Sequence, residues 1–207
     1  MPTGVAIRQV RRQLFDAAER VLLRAGPSGL TSRAVTAEAG CAKGVLHRHF
    51  ADFDDFLAGL VEDRAAEIGA RASALRGRAG TGTVTGNLAD ALADLFGTVA
   101  VAVVGLVAAR DELRARLRRT WPTGVPLLTE AAAALAAYLA AERDLGRLPP
   151  DADVDVLAPA LVGAGHLLYA DRTGPAPAPG EPERLVAAVL APAARYGRSG
   201  SAARPQE

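Results

Sequence analysis

The sequence holds a single cysteine, Cys41, which excludes an intramolecular disulfide framework. Aromatic residues are only 4% of 207, so aliphatic and alanine packing must supply most of the burial. Lysine is scarcer still: Lys43 is the only one, and arginine carries the rest of the positive charge. Long hydrophobic runs are also missing. The most apolar stretch, Leu95–Ala109, contains Thr98 and falls short of the ~20 residues that a membrane-spanning helix needs. Met1–Val10 lacks the apolar segment of a signal peptide. The expectation is a soluble, cytoplasmic chain with no membrane association.

Half of the residues are hydrophobic, enough for a sizeable core. The net charge of +1 hides an asymmetry. Residues 1–50 hold Arg8, Arg11, Arg12, Arg20, Arg24, Arg33, Lys43 and Arg48 against Asp16, Glu19 and Glu38, a net of +5. The remainder is net −4. A basic end on a mildly acidic body points to a nucleic-acid contact confined to that end.

The hydrophobic pattern is helical throughout. Ile7, Val10, Leu14, Ala17, Ala18, Val21 and Leu22 recur at three- and four-residue steps, which predicts a helix over about Val5–Ala25. Gly26-Pro27-Ser28-Gly29 ends it. Thr31 then reads as an N-cap, with Leu30 and Val35 placed to form a hydrophobic staple. That short helix ends at Gly40, and a second one follows over Ala42–Phe50. Asp52 caps a longer helix to about Leu75, whose first turn carries Asp54 and Asp55 at the positive end of the dipole. Arg76–Gly86 reads as a loop. Thr85 is expected to cap one long helix from Gly86 to about Arg110, apolar on nearly every side beyond Phe96. Further helices are expected over Asp111–Arg119, Pro126–Leu145, Val154–Ala170 and Glu183–Tyr196, with Gly174–Pro182 a loop. The total is about nine helices and no strand. Residues 199–207 read as a disordered tail.

Residues 31–50, TSRAVTAEAGCAKGVLHRHF, have the organisation of a helix-turn-helix. Such a motif needs an apolar face on both short helices, which Val35, Ala39, Cys41 and Leu46 supply, and a glycine in the turn, here Gly40. The outward face of the second helix must then enter a major groove. Lys43, His47, Arg48 and His49 give that face donors for phosphates and base edges. Gly44 and Val45 permit close approach, and Val45 can touch a thymine methyl.

The stretch resembles the signature of TetR-type regulators, on Thr31, Val35, Ala39, Gly40, Lys43, Gly44, Leu46, His49 and Phe50. Asp52–Leu57 resembles the start of that family's fourth helix. Four positions depart from the pattern. Ala42 replaces the serine that caps the reading helix, His47 a tyrosine, Thr36 a small alanine, and Phe53 a lysine. The resemblance implies an all-α protein: a three-helix reader over 1–50, then a ligand-binding and dimerisation domain over 51–198. It implies DNA contact through Thr31, Ser32, Arg33, Lys43, Gly44, Val45, His47, Arg48 and His49. With two phosphate contacts missing, at Ala42 and Phe53, a flatter salt dependence is expected.

By the same resemblance, an effector pocket lies among the helices that carry Phe96, Val99, Val103, Trp121, Tyr138, His166 and Tyr169. Helices around 154–170 and 183–196 would pair with their copies in a homodimer. Two readers about one DNA turn apart, roughly 34 Å, then read a palindromic operator. The implied activity is repression relieved by a small molecule, with Asp52–Leu75 as the coupling helix. No cofactor and no catalytic residue is expected. His47, His49 and Cys41 are not expected to bind a metal, since residues two apart on a helix face different ways. Two other classes stay open: an all-α enzyme, short of nucleophile–base pairs with three histidines and one cysteine, and a helical protein–protein module that kept the helix-turn-helix shape without DNA affinity.

Overall fold

A computed structural model of the chain describes residues 4–42, 44–96, 99–170 and 176–199. Among them are ten helices and no strand: α1 Gly4–Gly29, α2 Ser32–Glu38, α3 Gly44–His49, α4 Phe53–Gly77, α5 Val84–Phe96, α6 Ala100–Ala109, α7 Asp111–Leu117, α8 Leu128–Asp144, α9 Val154–Tyr169 and α10 Glu181–Ser199. The extra helix comes from the segment expected to be one long helix, which forms α5 and α6 instead. The sequence between them begins Gly97-Thr98, two weak helix formers. The start also differs. Thr83, not Thr85, caps α5, its hydroxyl accepting the Gly86 N–H at 3.0 Å. The expected tail lies outside the described residues apart from Ser199, the last residue of α10.

Packing divides the chain into two compact units, Met1–Ala65 with Val99–Pro126, and Ala66–Thr98 with Leu127–Glu207. The first contains α1–α3, the first half of α4, α6 and α7. In its core, α1 buries Leu14, Ala17, Ala18, Val21 and Leu22, α4 buries Phe56, Leu57, Leu60 and Val61, and α6 buries Val103, Leu106 and Val107. Four of the five phenylalanines cluster here: Phe15, Phe50, Phe53 and Phe56 meet with ring centroids 5.1–5.8 Å apart. α4 begins at a reciprocal cap. Asp52 Oδ1 accepts the Asp55 N–H at 2.7 Å, and Asp55 Oδ2 accepts the Ala51 N–H at 3.0 Å. Both carboxylates also meet Arg116 of α7, at 2.8 and 3.3 Å, and Asp54 meets Arg110 at 2.8 Å.

The second unit packs α9 against α8, α5 and α10. Gly165 lets α9 approach α5, because a Cβ there would stand 2.8 Å from Leu92 Cδ2. A polar network fastens the loop before α5 to α8. Tyr138 and Glu142, one helical turn apart, are fully buried. The Tyr138 hydroxyl donates to Glu142 Oε1 at 2.5 Å and accepts from Asn87 Nδ2 at 2.9 Å. Asn87 also donates to the Thr81 carbonyl at 2.8 Å. Arg147 approaches Glu142 Oε2 at 3.3 Å and donates to the Gly82 carbonyl at 2.6 Å. A buried carboxylate is tolerable only when its lone pairs are met, and here they are.

Two outcomes follow. Tyr138→Phe takes the shared hydroxyl away from Glu142 Oε1 and Asn87 Nδ2 and should destabilise the protein by about 1–3 kcal/mol. By circular dichroism that is a fall in Tm of roughly 2–12 °C for a chain of this size; an unchanged Tm would refute the network's role. Burial, then the hydrogen bond to Glu142, pushes the Tyr138 phenol from 10.0 up to about 12. In that window the folded chain keeps a proton that the unfolded chain has released. Stability from this group is therefore complete below pH ~10 and lost as pH rises through ~12. Burial, and then Glu183 and Glu181, also raise Tyr169. Urea titrations from pH 8 to 12 should thus show an alkaline decline that is shallower, not absent, in Tyr138→Phe.

Candidate nucleic-acid interface

The three-helix head in the first unit sets the geometry of α3. Leu46 of α3 and Phe50 just after it are buried, as are Val35 and Thr36 of α2. The face opposite Leu46 is the outward one, where Gly44, His47 and Arg48 are exposed and Val45 and His49 are half-buried. Arg33 and Arg48 have no ion-pair partner among the described residues. Arg20 and Arg24, by contrast, are taken up by Glu38 at 2.8 and 2.9 Å. Those bonds hold the Glu38 carboxyl below its ordinary range. The basic excess of the N-terminal segment thus divides into charges spent on the head itself and charges left facing outward.

Thr31 caps α2 as expected, its hydroxyl accepting the Ala34 N–H at 3.1 Å. Ser32 follows half-buried, and Arg33 is exposed. Gly40, at φ 65, makes the turn in a conformation that side chains resist. Lys43 lies outside the described residues. Thr36, in place of the family's alanine, fits the core because its hydroxyl donates to the Ser32 and Arg33 carbonyls at 2.9 and 3.2 Å. Cys41 is a half-buried free thiol in the turn.

The seven residues expected around a ligand do not fall in one unit. Val99, Val103 and Trp121 belong to the first; Phe96, Tyr138, His166 and Tyr169 belong to the second. Phe96 and His166 meet edge to face at 5.7 Å. His166 Nδ1 is buried without a hydrogen-bond partner among the described residues. The Tyr138 hydroxyl is committed to Glu142 and Asn87. A cavity of about 130 Å³ opens elsewhere in the second unit, lined by Ile68, Arg71, Ala72, Ala74, Leu75 and Arg78 of α4 and its C-terminal end, Ala91, Asp94 and Leu95 of α5, and Ala134 of α8. None of the seven lines it. Its only trace in the sequence is alanine at wall positions 72, 74, 91 and 134, and alanine is too common in this chain to mark a site.

Residues 14–59 match the model of the bacterial regulatory proteins, tetR family. Among curated proteins none matches the sequence. Solved structures do match the fold. A TetR-family transcriptional regulator from Mesorhizobium loti aligns with a TM-score of 0.65 at 18% identity, covering 92% of this chain and 97% of its own. FadR from Bacillus subtilis, in complex with stearoyl-CoA, aligns with a TM-score of 0.61 at 19% identity, covering 87% and 95%. The reduced form of NemR from E. coli aligns with a TM-score of 0.66 at 16% identity, covering 86% and 94%. Residues 14–59 are thus similar to the bacterial regulatory proteins of the tetR family, and the chain as a whole has the fold of these solved regulators.

Proposed function

We propose that the chain is a cytoplasmic, homodimeric repressor that binds a palindromic operator and is released from it by a small molecule. The observation that carries the reading is the outward face of α3, where Arg48 and His47 stand exposed opposite a fully buried Leu46. A helix held by one face and basic on the other suits a major groove. Residues 1–50 are assigned to reading DNA and 51–198 to sensing and pairing. Thr31, Ser32 and Arg33 at the start of α2 join Lys43, Gly44, Val45, His47, Arg48 and His49 as contacts. No step of this role is enzymatic. Among the described residues no single helix is long and apolar enough to cross a membrane.

Dimerisation is assigned to α9 and α10. Val156 and Leu167 are 62% and 77% exposed, and with Pro159, Ala160 and Gly163 they make one apolar stripe along α9. Exposed apolar surface of this kind is characteristic of a protein interface. The effector site is assigned to the second unit, with Phe96, His166 and Tyr169 as lining and the cavity among α4, α5 and α8 as part of it. FadR, of the same fold, holds stearoyl-CoA. Here a cavity of about 130 Å³ suits a group the size of a single ring, since ~150 Å³ accommodates benzene. An effector that favours one reader spacing over another shifts the dimer off its operator by its difference in affinity, with α4 as the connecting helix.

Two measurements test this. The full-length protein should enrich a palindromic duplex from a random library. On that duplex, Arg48→Ala and Lys43→Ala should each weaken binding and each lower the slope of log K against log[salt] by about 0.9. Unchanged gel shifts would leave the helical protein–protein module as the reading. Leu167→Glu should convert the dimer to monomer in sedimentation velocity and abolish operator binding; a dimer of undiminished stability would place the interface elsewhere.

A further inference from the structure

α2 and α3 are seven and six residues long, too short to persist without tertiary support. Each also ends on carbonyls that no residue of the helix can satisfy. α1 answers both ends. Gln13 Nε2 donates to the Ala39 carbonyl, just beyond α2, at 2.9 Å. Arg11 Nη1 donates to the carbonyl of His49, the last residue of α3, at 3.5 Å. The Arg11 guanidinium also lies over the Phe50 ring at 4.4 Å and the Phe15 ring at 5.8 Å. α4 leaves room for it with Gly59, where a Cβ would stand 3.3 Å from Arg11 Nη2 and from both rings. A cation at the C-terminal end of a helix is also favoured by the helix dipole.

We propose that Arg11 is a positioning residue for DNA reading: it fixes the pose of α3 from behind, through the His49 carbonyl and the Phe50 ring, and does not itself touch DNA. This rests on the DNA-binding reading above. The guanidinium is half-buried and divided between a carbonyl and two rings, so its work is on the helix end rather than on a phosphate. A planar fork can stack on Phe50 and donate sideways at the same time. An ammonium keeps the charge but not that geometry.

The test uses the full-length protein and the duplex it selects. If no duplex is enriched, the DNA reading fails and this inference with it. If one is enriched, Arg11→Lys and Arg11→Ala are compared with wild type by fluorescence anisotropy from 50 to 300 mM salt. Positioning predicts that both variants bind about tenfold or more weakly, with the salt slope unchanged. It also predicts a looser base preference when the selection is repeated with Arg11→Lys. A direct phosphate contact predicts near-normal affinity for Arg11→Lys and a slope about 0.9 smaller for Arg11→Ala; either result overturns the proposal. So does loss of the folded circular dichroism spectrum in Arg11→Lys, which would make Arg11 a core element of the head. So does twofold or smaller weakening in both variants.

Discussion

A helix of six residues does not hold its own shape in water, because the cost of nucleating it is not recovered over so few hydrogen bonds. α3 therefore exists only as part of the head that packs around it. Leu46, Phe50 and the aromatic cluster fix one face by burial, and the opposite face is outward as a consequence. The proposed DNA reading depends on that constraint. The same burial that makes α3 helical also decides which side chains a groove can meet.

Charge follows the same division. The arginines of α1 and α2 are not one undifferentiated basic patch. Arg20 and Arg24 hold Glu38, Arg11 lies on Phe50, and Arg33 faces water. In the same unit, Arg110 and Arg116 hold all three aspartates at the start of α4. The Asp55 N–H, and after it Arg116, hold the Asp52 carboxyl below its ordinary range, and the hydrogen bond to Asp52 holds Arg116 above its own. Exposed pairs of this kind add little stability one by one. Their effect is geometric: they tie α7 and the residue between α6 and α7 to the start of α4.

The second unit shows how a polar cluster can serve structure in a place expected to serve recognition. Tyr138 is among the residues that the resemblance places around an effector. Its hydroxyl is satisfied by Asn87 and Glu142, residues 51 positions before it and four after. The relation to Glu142 is a local helical one and legible in the sequence. The other is a contact between distant segments, and no pattern announces it.

By itself the sequence determined the helices, the turn at Gly40, the Thr31 and Asp52 caps and the basic face of α3. These rest on local chemistry: periodic burial, a backbone that needs glycine, a side-chain oxygen that meets the N–H three residues on. Only the tertiary structure decided that Leu95–Ala109 is shared between two helices in different units, since a continuous apolar run does not say which core each part will enter. Only it showed that Arg11 and Gln13 grip the ends of the two short helices, and where a cavity opens in the second unit. Those relations join residues far apart along the chain, and their energy exists only once the chain has folded to bring them together.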